Sequence, residues 1–225
     1  MLTLLHTSPV HVPVFDALRD RHHPGLELRH LVHEELLAAA RSDGPGAMDS
    51  ALGVVLTEAV ADGATVVLCT RSTIGGAAQA YTARLGVPVL RVDRPMAAAA
   101  GAAAPERDTV RIAVVAALRS TLAPTTDLIR EEAAAAGRRA DLRTVWADGA
   151  WDRFEGGDRD GYLDLVARAV DAITGVDVVV LAQASMAAAA DRTGTALPVL
   201  SSPAPGLRAA VAAAAGDAER SARDV

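Results

Sequence analysis

Small hydroxyl side chains follow several of the apolar segments that the sequence predicts as β-strands. Ser8 follows the first segment, Ser185 follows the seventh, and the third and fifth are followed by Thr70, Ser72, Thr73, Ser120 and Thr121. After the first, third and fifth segments a helix is predicted, whose unpaired N–H groups and dipole favour an anion. Serine and threonine there either add donors for a carboxylate or cap the helix. Together these clusters predict a small-acid site, while capping stays open at any single loop.

The only cysteine, Cys69, ends the third predicted strand and enters one of these loops. A helix N-terminus and the nearby Arg71 can lower the pKa of such a thiol and give a reactive thiolate. A free cysteine can equally be a small buried apolar residue, and position alone leaves both roles open. A lone cysteine forms no internal disulfide and no multi-cysteine metal site, which is typical of the reducing cytosol.

Histidines and motifs indicate no metal site and no cofactor. His6 and His11 lie in the first of the loops, where an imidazole could donate a proton or a hydrogen bond. The remaining histidines have metal-like spacing without supporting cysteine or carboxylate geometry, and we interpret them as solvated or structural: His22, His23, His30 and His33. The chain has no lysine, which excludes a Schiff base and a P-loop.

The composition argues against some classes of binding partner. Of 225 residues 51% are hydrophobic but only 3% are aromatic, so the core must be built from alanine, valine and leucine. A net charge of −6 argues against nucleic acid. The N-terminus reads as a first strand rather than a signal peptide, and no apolar run is long enough for a membrane span. We therefore expect a cytoplasmic protein with a small-molecule ligand and no membrane partner.

Apolar runs alternate with helical stretches, which predicts an α/β fold with mainly parallel sheets. The predicted strands are 2–5, 26–32, 65–69, 88–92, 111–117, 141–146, 177–182 and 198–201. The clearest predicted helices are 13–22, 49–61, 76–85, 124–136 and 161–173.

An internal repeat indicates two copies of this scheme. Val66 pairs with Val179 and Ser72 with Ser185, both 113 residues apart. The repeat predicts two subdomains related by a pseudo-two-fold axis, over 1–96 and 109–204, with a linker at 97–108. The C-terminal segment 205–225 is expected to pack back onto the first subdomain. Because ligands bind beyond the carboxyl ends of parallel strands, we expect the site in a cleft between the halves.

Six segments in this order resemble the aspartate/glutamate racemase superfamily, and the resemblance covers nearly the whole chain. They are HTSPVHVPVFDAL, VVLCTRSTIGGAA, VPVLRVDRPMA, AVVAALRSTLAPT, VVVLAQASMA and LPVLSSP. The superfamily includes glutamate, aspartate and hydantoin racemases, maleate isomerase and arylmalonate decarboxylase. The resemblance implies two flavodoxin-like subdomains with the site between them, no cofactor, and a dimer or larger homo-oligomer.

The resemblance also implies two cysteines, one per half, which remove and return a proton on opposite faces of a carbon. Here Gln183 or Ala182 stands where the second cysteine is expected, and either Cys69 or Arg71 occupies the first position. We therefore expect a cofactor-independent racemase or isomerase acting on a small carboxylate or amino acid through the Cys69 thiolate. Hydroxyl residues of the loops, together with Arg71, would hold the acid. The alternatives are a one-cysteine enzyme like arylmalonate decarboxylase and a carboxylate-binding protein that has lost this chemistry.

Overall fold

The computed structural model describes residues 1–36 and 45–223, which form eight strands and nine α-helices within those ranges. The strands are β1 Leu2–His6, β2 Leu28–Val32, β3 Val66–Cys69, β4 Val89–Arg91, β5 Thr109–Ala116, β6 Arg139–Trp146, β7 Val178–Leu181 and β8 Val199–Leu200. The helices are α1 Val12–His22, α2 Pro45–Ala61, α3 Ser72–Ala80, α4 Thr82–Leu85, α5 Arg94–Ala102, α6 Arg119–Ala135, α7 Ala150–Glu155, α8 Arg159–Asp171 and α9 Pro203–Arg223. Two 3₁₀ helices cover Pro9–His11 and Ala184–Arg192.

The chain forms two compact units with the same topology. Unit 1 consists of Met1–Val92 and the segment from Pro203 onward, and unit 2 is Asp93–Ser202. Each holds a four-stranded parallel sheet, in the orders β2-β1-β3-β4 and β6-β5-β7-β8. The predicted α/β fold with two similar halves is confirmed, and all eight predicted strands are present with bounds within two residues.

Both faces of each sheet are buried, as expected when helices cover a parallel sheet. In unit 1, Leu5 and Cys69 pack against α2 and α3, whereas Leu4 and Leu68 pack against α1 and α9. In unit 2 one face packs against α8, and the other packs against α5 and α6. The core is therefore made largely of short aliphatic side chains, as the composition predicts.

The segment expected to be a linker, 97–108, begins inside helix α5. Pro95 in the first turn starts this helix, and alanine, the best helix former, continues it. Met96, Ala97 and Ala100 are buried with the α6 side chain Leu128, so α5 belongs to unit 2. The structure therefore places the boundaries at 92/93 and 202/203, and each of the helices α5 and α9 begins at a crossing between the units.

Backbone hydrogen bonds correct the spacing of the repeat. Val67 N donates to Pro88 O, and Val179 N donates to Pro198 O, so Val67 and Val179 are equivalent. Strands β3 and β7 are thus related by 112 residues rather than 113. A shift of one residue in a strand exchanges the two faces of the sheet, so this correction decides which loop residues correspond.

None of the helices in the described ranges combines the length and the hydropathy that a membrane span requires.

Candidate functional site

The candidate site lies in unit 1, beyond the carboxyl ends of β1 and β3. In a sheet of order β2-β1-β3-β4, the connections that leave these two strands run in opposite directions, which opens a crevice between them. We call the residues that follow the two strand ends the unit 1 switch point: Thr7, Ser8, His11 and Thr70–Thr73, together with His6 at the end of β1. The structure brings together there the sequence-predicted residues of the first half, other than Cys69.

The predicted hydroxyl residues of unit 1 differ in their environments. Thr70 is buried, its Oγ1 lies 2.8 Å from His6 Nδ1, and it can donate to Leu5 O at 3.0 Å. Ser72 is buried in the first turn of α3, directly after Arg71 in the N-cap position. Ser8, at the start of the first 3₁₀ helix, is half-buried.

Three polar atoms on threonine and histidine side chains of the unit 1 switch point are buried without a hydrogen-bond partner among the described residues. They are Thr7 Oγ1, His11 Nδ1 and Thr73 Oγ1. Thr7 is only 4% exposed and His11 only 5% exposed. A buried polar group without a partner costs about 1–3 kcal/mol, and such groups call for a partner from outside the chain. At this place beyond two strand ends they could form hydrogen bonds with a bound molecule.

Burial keeps the two histidines of the switch point neutral. Desolvation, with smaller contributions from His30 and His11, lowers the pKa of His6 from 6.5 to about 3. Desolvation and the nearby Arg71 guanidinium lower the pKa of His11 from 6.5 to about 4. A neutral imidazole offers one donor and one acceptor, whereas the Arg71 guanidinium is permanently positive. The site therefore combines a fixed positive charge with neutral polar groups.

In unit 2 the side chain of Gln183 forms hydrogen bonds with the backbone at the equivalent strand ends. Gln183 Oε1 accepts hydrogen bonds from the amides of Ala117 at 2.8 Å and Leu118 at 3.0 Å. These N–H groups lie just before the first turn of α6. The Gln183 side chain thus has a structural contact within unit 2.

The remaining predicted residues of unit 2 also form internal contacts or face solvent. Thr121 Oγ1, in the first turn of α6, donates to Leu118 O at 2.7 Å. Ser185 Oγ lies 2.7 Å from the hydroxyl of Tyr162, whose pKa burial raises to about 12. Ser120 is exposed in the first turn of α6.

The structure decides between Cys69 and Arg71 as the counterpart of Gln183. Arg71 occupies the N-cap position of the helix after β3, just as Gln183 does in the 3₁₀ helix after β7, and both have extended backbone conformations. Cys69 is instead the counterpart of Leu181. It is fully buried in the apolar core, and its Sγ can donate to Arg71 O at 3.6 Å. The geometry therefore favours a core role for this thiol.

Sequence reasoning missed some residues of this region. Thr7 lies in the loop that the sequence analysis identified, but its side chain had no distinguishing signal. Asp16 and His30 contact each other and extend the hydrogen bonds of His6, through positions that lie far apart in the sequence. In the described part of the chain, no three histidine, cysteine, aspartate or glutamate side chains are close enough to hold a metal ion.

Solved structures share this fold. An Asp/Glu racemase candidate from Yersinia pestis superposes with a TM-score of 0.64 at 16% identity, covering 96% of this chain and 98% of that chain. Glutamate racemase from Thermus thermophilus, in complex with β-chloro-D-alanine, gives 0.62 at 19% identity, covering 96% and 80%. A Gly74Cys mutant of arylmalonate decarboxylase gives 0.56 at 17% identity, covering 96% and 93%.

These similarities establish the fold alone: the chain has the α/β fold of these solved structures. No protein-family model matches the sequence, and a comparison with curated proteins also finds no match.

Proposed function

We propose that this chain is a cofactor-independent protein of the racemase and isomerase type that binds a small carboxylate or amino acid at the unit 1 switch point. The fold supports the class, because structures that share it include racemases and a decarboxylase. The observation that carries the ligand site is the set of buried, unpartnered atoms Thr7 Oγ1, His11 Nδ1 and Thr73 Oγ1 within the described chain.

The chemistry of the switch point supports an acid as the ligand. Arg71 supplies the positive charge, and a guanidinium can bind a carboxylate through two parallel hydrogen bonds. The hydroxyls of Thr7 and Thr73 can donate to the same carboxylate, and His11 can donate or accept through Nδ1. A site of this kind holds a small acid without a metal or a cofactor.

Cys69 is the only thiol of the chain that could transfer a proton to or from a bound acid. Racemisation needs an acid and a base on opposite faces of the reacting carbon, and neither Arg71 nor Gln183 exchanges protons readily near neutral pH. A Cys69 thiolate could serve one-sided chemistry only, such as decarboxylation followed by protonation from one face. Because Cys69 is fully buried, this use requires the end of β3 to open.

A second candidate function is carboxylate binding without catalysis. The position of Cys69 in the apolar core favours it, as does the Gln183 amide, which is held by two backbone N–H groups. Under this alternative the fold retains its ligand site and lacks the proton-transferring pair.

Exchange of the α-proton into D₂O separates these functions. Succinate, malonate and both enantiomers of glutamate and aspartate would be tested for binding by calorimetry and for exchange by NMR. Exchange without inversion that disappears in Cys69→Ala supports one-sided catalysis, and exchange that persists in this variant excludes the thiol. Binding without exchange supports the second candidate, and no binding by any of these acids refutes the ligand site.

Arg71→Gln provides the test of the acid-binding side chain. We expect at least a tenfold loss of affinity, on the order of the 1.5–3 kcal/mol that hydrogen bonds to charged groups contribute. Arg84→Gln is the matched control, because Arg84 lies on the same unit but over the ring of Tyr81. Equal affinity of the Arg71 variant and wild type would contradict the proposed role.

A further inference from the structure

A continuous chain of hydrogen bonds in unit 1 links Asp16 to the carboxyl end of β3. Asp16 Oδ1 lies 3.3 Å from His30 Nε2, and His30 Nδ1 lies 2.8 Å from His6 Nε2. His6 Nδ1 in turn lies 2.8 Å from Thr70 Oγ1, which is 3.0 Å from Leu5 O. Helix α1, strands β1 and β2, and the loop residue that follows β3 thus contribute one side chain each to a single connected path.

The two ends of this path differ in exposure. The Asp16 side chain is 35% exposed and that of His30 is 15% exposed. His6 is fully buried, and Thr70 is 2% exposed at the unit 1 switch point. The path therefore connects solvent with a residue of the proposed ligand site.

Two arrangements of protons satisfy every contact between the four side chains of the path. In the first, Thr70 donates to His6 Nδ1, His6 Nε2 donates to His30 Nδ1, and His30 Nε2 donates to Asp16. In the second, His6 Nδ1 donates to Thr70, which donates to Leu5 O, and His30 donates from both ring nitrogens, to His6 Nε2 and to Asp16. The second arrangement holds one more proton than the first, and that proton resides on His30.

The surroundings allow His6 to change tautomer but not charge. Burial keeps its pKa at about 3, so it is neutral in both arrangements. The His11 ring lies 6.4 Å from the His6 ring, measured between their centroids. The Arg71 guanidinium in turn helps to lower the pKa of His11. At the other end, Arg19 lies 2.8 Å from Asp16 on the same helix. A positive charge is therefore best held at His30, beside the Asp16 carboxylate.

We propose that Asp16, His30 and His6 form a proton relay between solvent and the hydroxyl of Thr70. In the outward direction, Thr70 Oγ1 takes up a proton from the ligand side and passes its own proton to His6 Nδ1. His6 passes the proton on Nε2 to His30 Nδ1, and the positive charge rests on His30. The reverse sequence returns the proton. His6 gains the proton on Nδ1 as it loses the one on Nε2, so it is neutral in both end states.

The relay rests on the proposed function for its role, because Thr70 belongs to the proposed ligand site. A carboxylate bound at Thr70 favours the second arrangement, since Thr70 can then donate to the ligand while accepting from His6. Binding of an acid should consequently be coupled to the uptake of a proton at His30.

Imidazole ¹⁵N NMR of the ligand-free protein tests the relay itself. As the pH is lowered, we expect the proton of His6 to move from Nε2 to Nδ1 while this ring stays neutral. The change should occur at the same pH at which His30 becomes doubly protonated. A His6 ring that keeps one tautomer throughout, or changes it independently of His30, would overturn the proposal.

Asp16→Asn removes the carboxylate that stabilises the charged end. In this variant the tautomer change of His6 should move to lower pH, because a positive charge on His30 loses its neighbouring carboxylate. Asp20→Asn is the matched control, because Asp20 also pairs with Arg19 on α1 but has no contact with His30 among the described hydrogen bonds. An equal shift in both variants would refute the specific role of Asp16.

Calorimetry of succinate binding separates this proposal from the proposed function. Titrations at about pH 8 in two buffers of different ionisation enthalpy report proton uptake, because succinate itself is fully ionised there. We expect uptake of up to about one proton per bound molecule. Binding without proton uptake overturns the coupling, whereas absence of binding refutes the ligand site and leaves the tautomer measurement to decide the relay.

Discussion

The side-chain oxygen of Gln183 lies 2.8 Å from the amide nitrogen of Ala117 and accepts its hydrogen bond. The same oxygen accepts from the next amide in the chain, so one uncharged side chain satisfies both donors before α6. The two units share a topology but differ here, because unit 1 has an arginine at the equivalent position. The position expected to carry a proton-transferring cysteine thus has a structural contact in unit 2.

We expect Gln183→Ala to lower the free energy of unfolding by about 1–3 kcal/mol, because it leaves two backbone donors without their acceptor. Gln183→Glu retains an acceptor at the same distance and serves as the control. Urea denaturation of the three proteins measures the difference. A Gln183→Ala variant as stable as wild type would contradict the assigned role.

Gly101→Ala tests the close approach of α5 to α6. A β-carbon at this position would lie 3.0 Å from the backbone of Ala133, which cannot move aside like a flexible side chain. Overpacking typically costs about 1–3 kcal/mol, which outweighs the gain of about 1 kcal/mol from a better helix former. The expected net effect is a lower unfolding midpoint in urea.

Gly76→Ala provides the comparison for Gly101→Ala. Gly76 is an exposed position of α3, where the added carbon has only Arg91 Nη1 near it, at 3.5 Å. Here the helix-propensity gain should prevail and raise stability by up to about 1 kcal/mol. The argument fails if both substitutions change stability in the same direction.

Acid should destabilise unit 1 through its neutral histidines. Between pH 6.5 and the lowered pKa of about 4, His11 is neutral when folded and protonated when unfolded. The unfolded state then binds more protons, so stability falls as the pH falls, by about 1.4 kcal/mol per pH unit for each such histidine. His11→Gln should flatten the stability–pH curve by this amount, whereas His22→Gln, at an exposed position, should leave the slope unchanged.

Asp177 should stabilise unit 2 at neutral pH. It accepts hydrogen bonds from the side chain of Arg111 at 2.7 Å and from its backbone amide at 2.8 Å, and these contacts lower the pKa of Asp177 from 3.8 to about 2. Its stabilising contribution is complete above pH 3.8 and is lost as the pH falls through about 2.

Asp177→Asn should therefore cost about 1–2 kcal/mol at neutral pH, after allowance for solvent screening of the half-exposed Arg111. The difference from wild type should disappear in strong acid. Asp127→Asn, which removes an exposed pair with Arg130, should have little effect by the same urea titration. A cost that stayed constant down to pH 2 would point to a role other than the charge.

The sequence predicts the inner strands β1, β3, β5 and β7 well because each is a short apolar run that its sheet position buries. It predicts the loops of the site for the same reason, since side chains that follow such runs gather at one sheet edge. Helix α5 is missed because its alanine-rich sequence has no charged face to reveal a period, and its burial against α6 is a tertiary property.

Which loop residues of the two units correspond depends on the alignment of β3 with β7. A repeat in an alanine-rich chain specifies that alignment only to within one residue. At a spacing of 113 residues Gln183 would correspond to Thr70, whereas the observed spacing of 112 makes Arg71 its counterpart. The contacts of Asp16 and His30 with the site depend on α1 and β2 packing together, and their sequence spacing carries no signal of it.

The chain passes from unit 1 to unit 2 at 92/93 and returns to unit 1 at 202/203. This order has a consequence for synthesis on the ribosome. Unit 2 is one uninterrupted stretch, so its sheet and helices can assemble soon after Ser202 leaves the exit tunnel. Unit 1 must wait for α9, whose Leu207 and Ala210 cover Leu4 and Leu68. Until then that apolar face stays open, so the half made first is completed last, and its nascent form is the stage at which a chaperone would have most to bind.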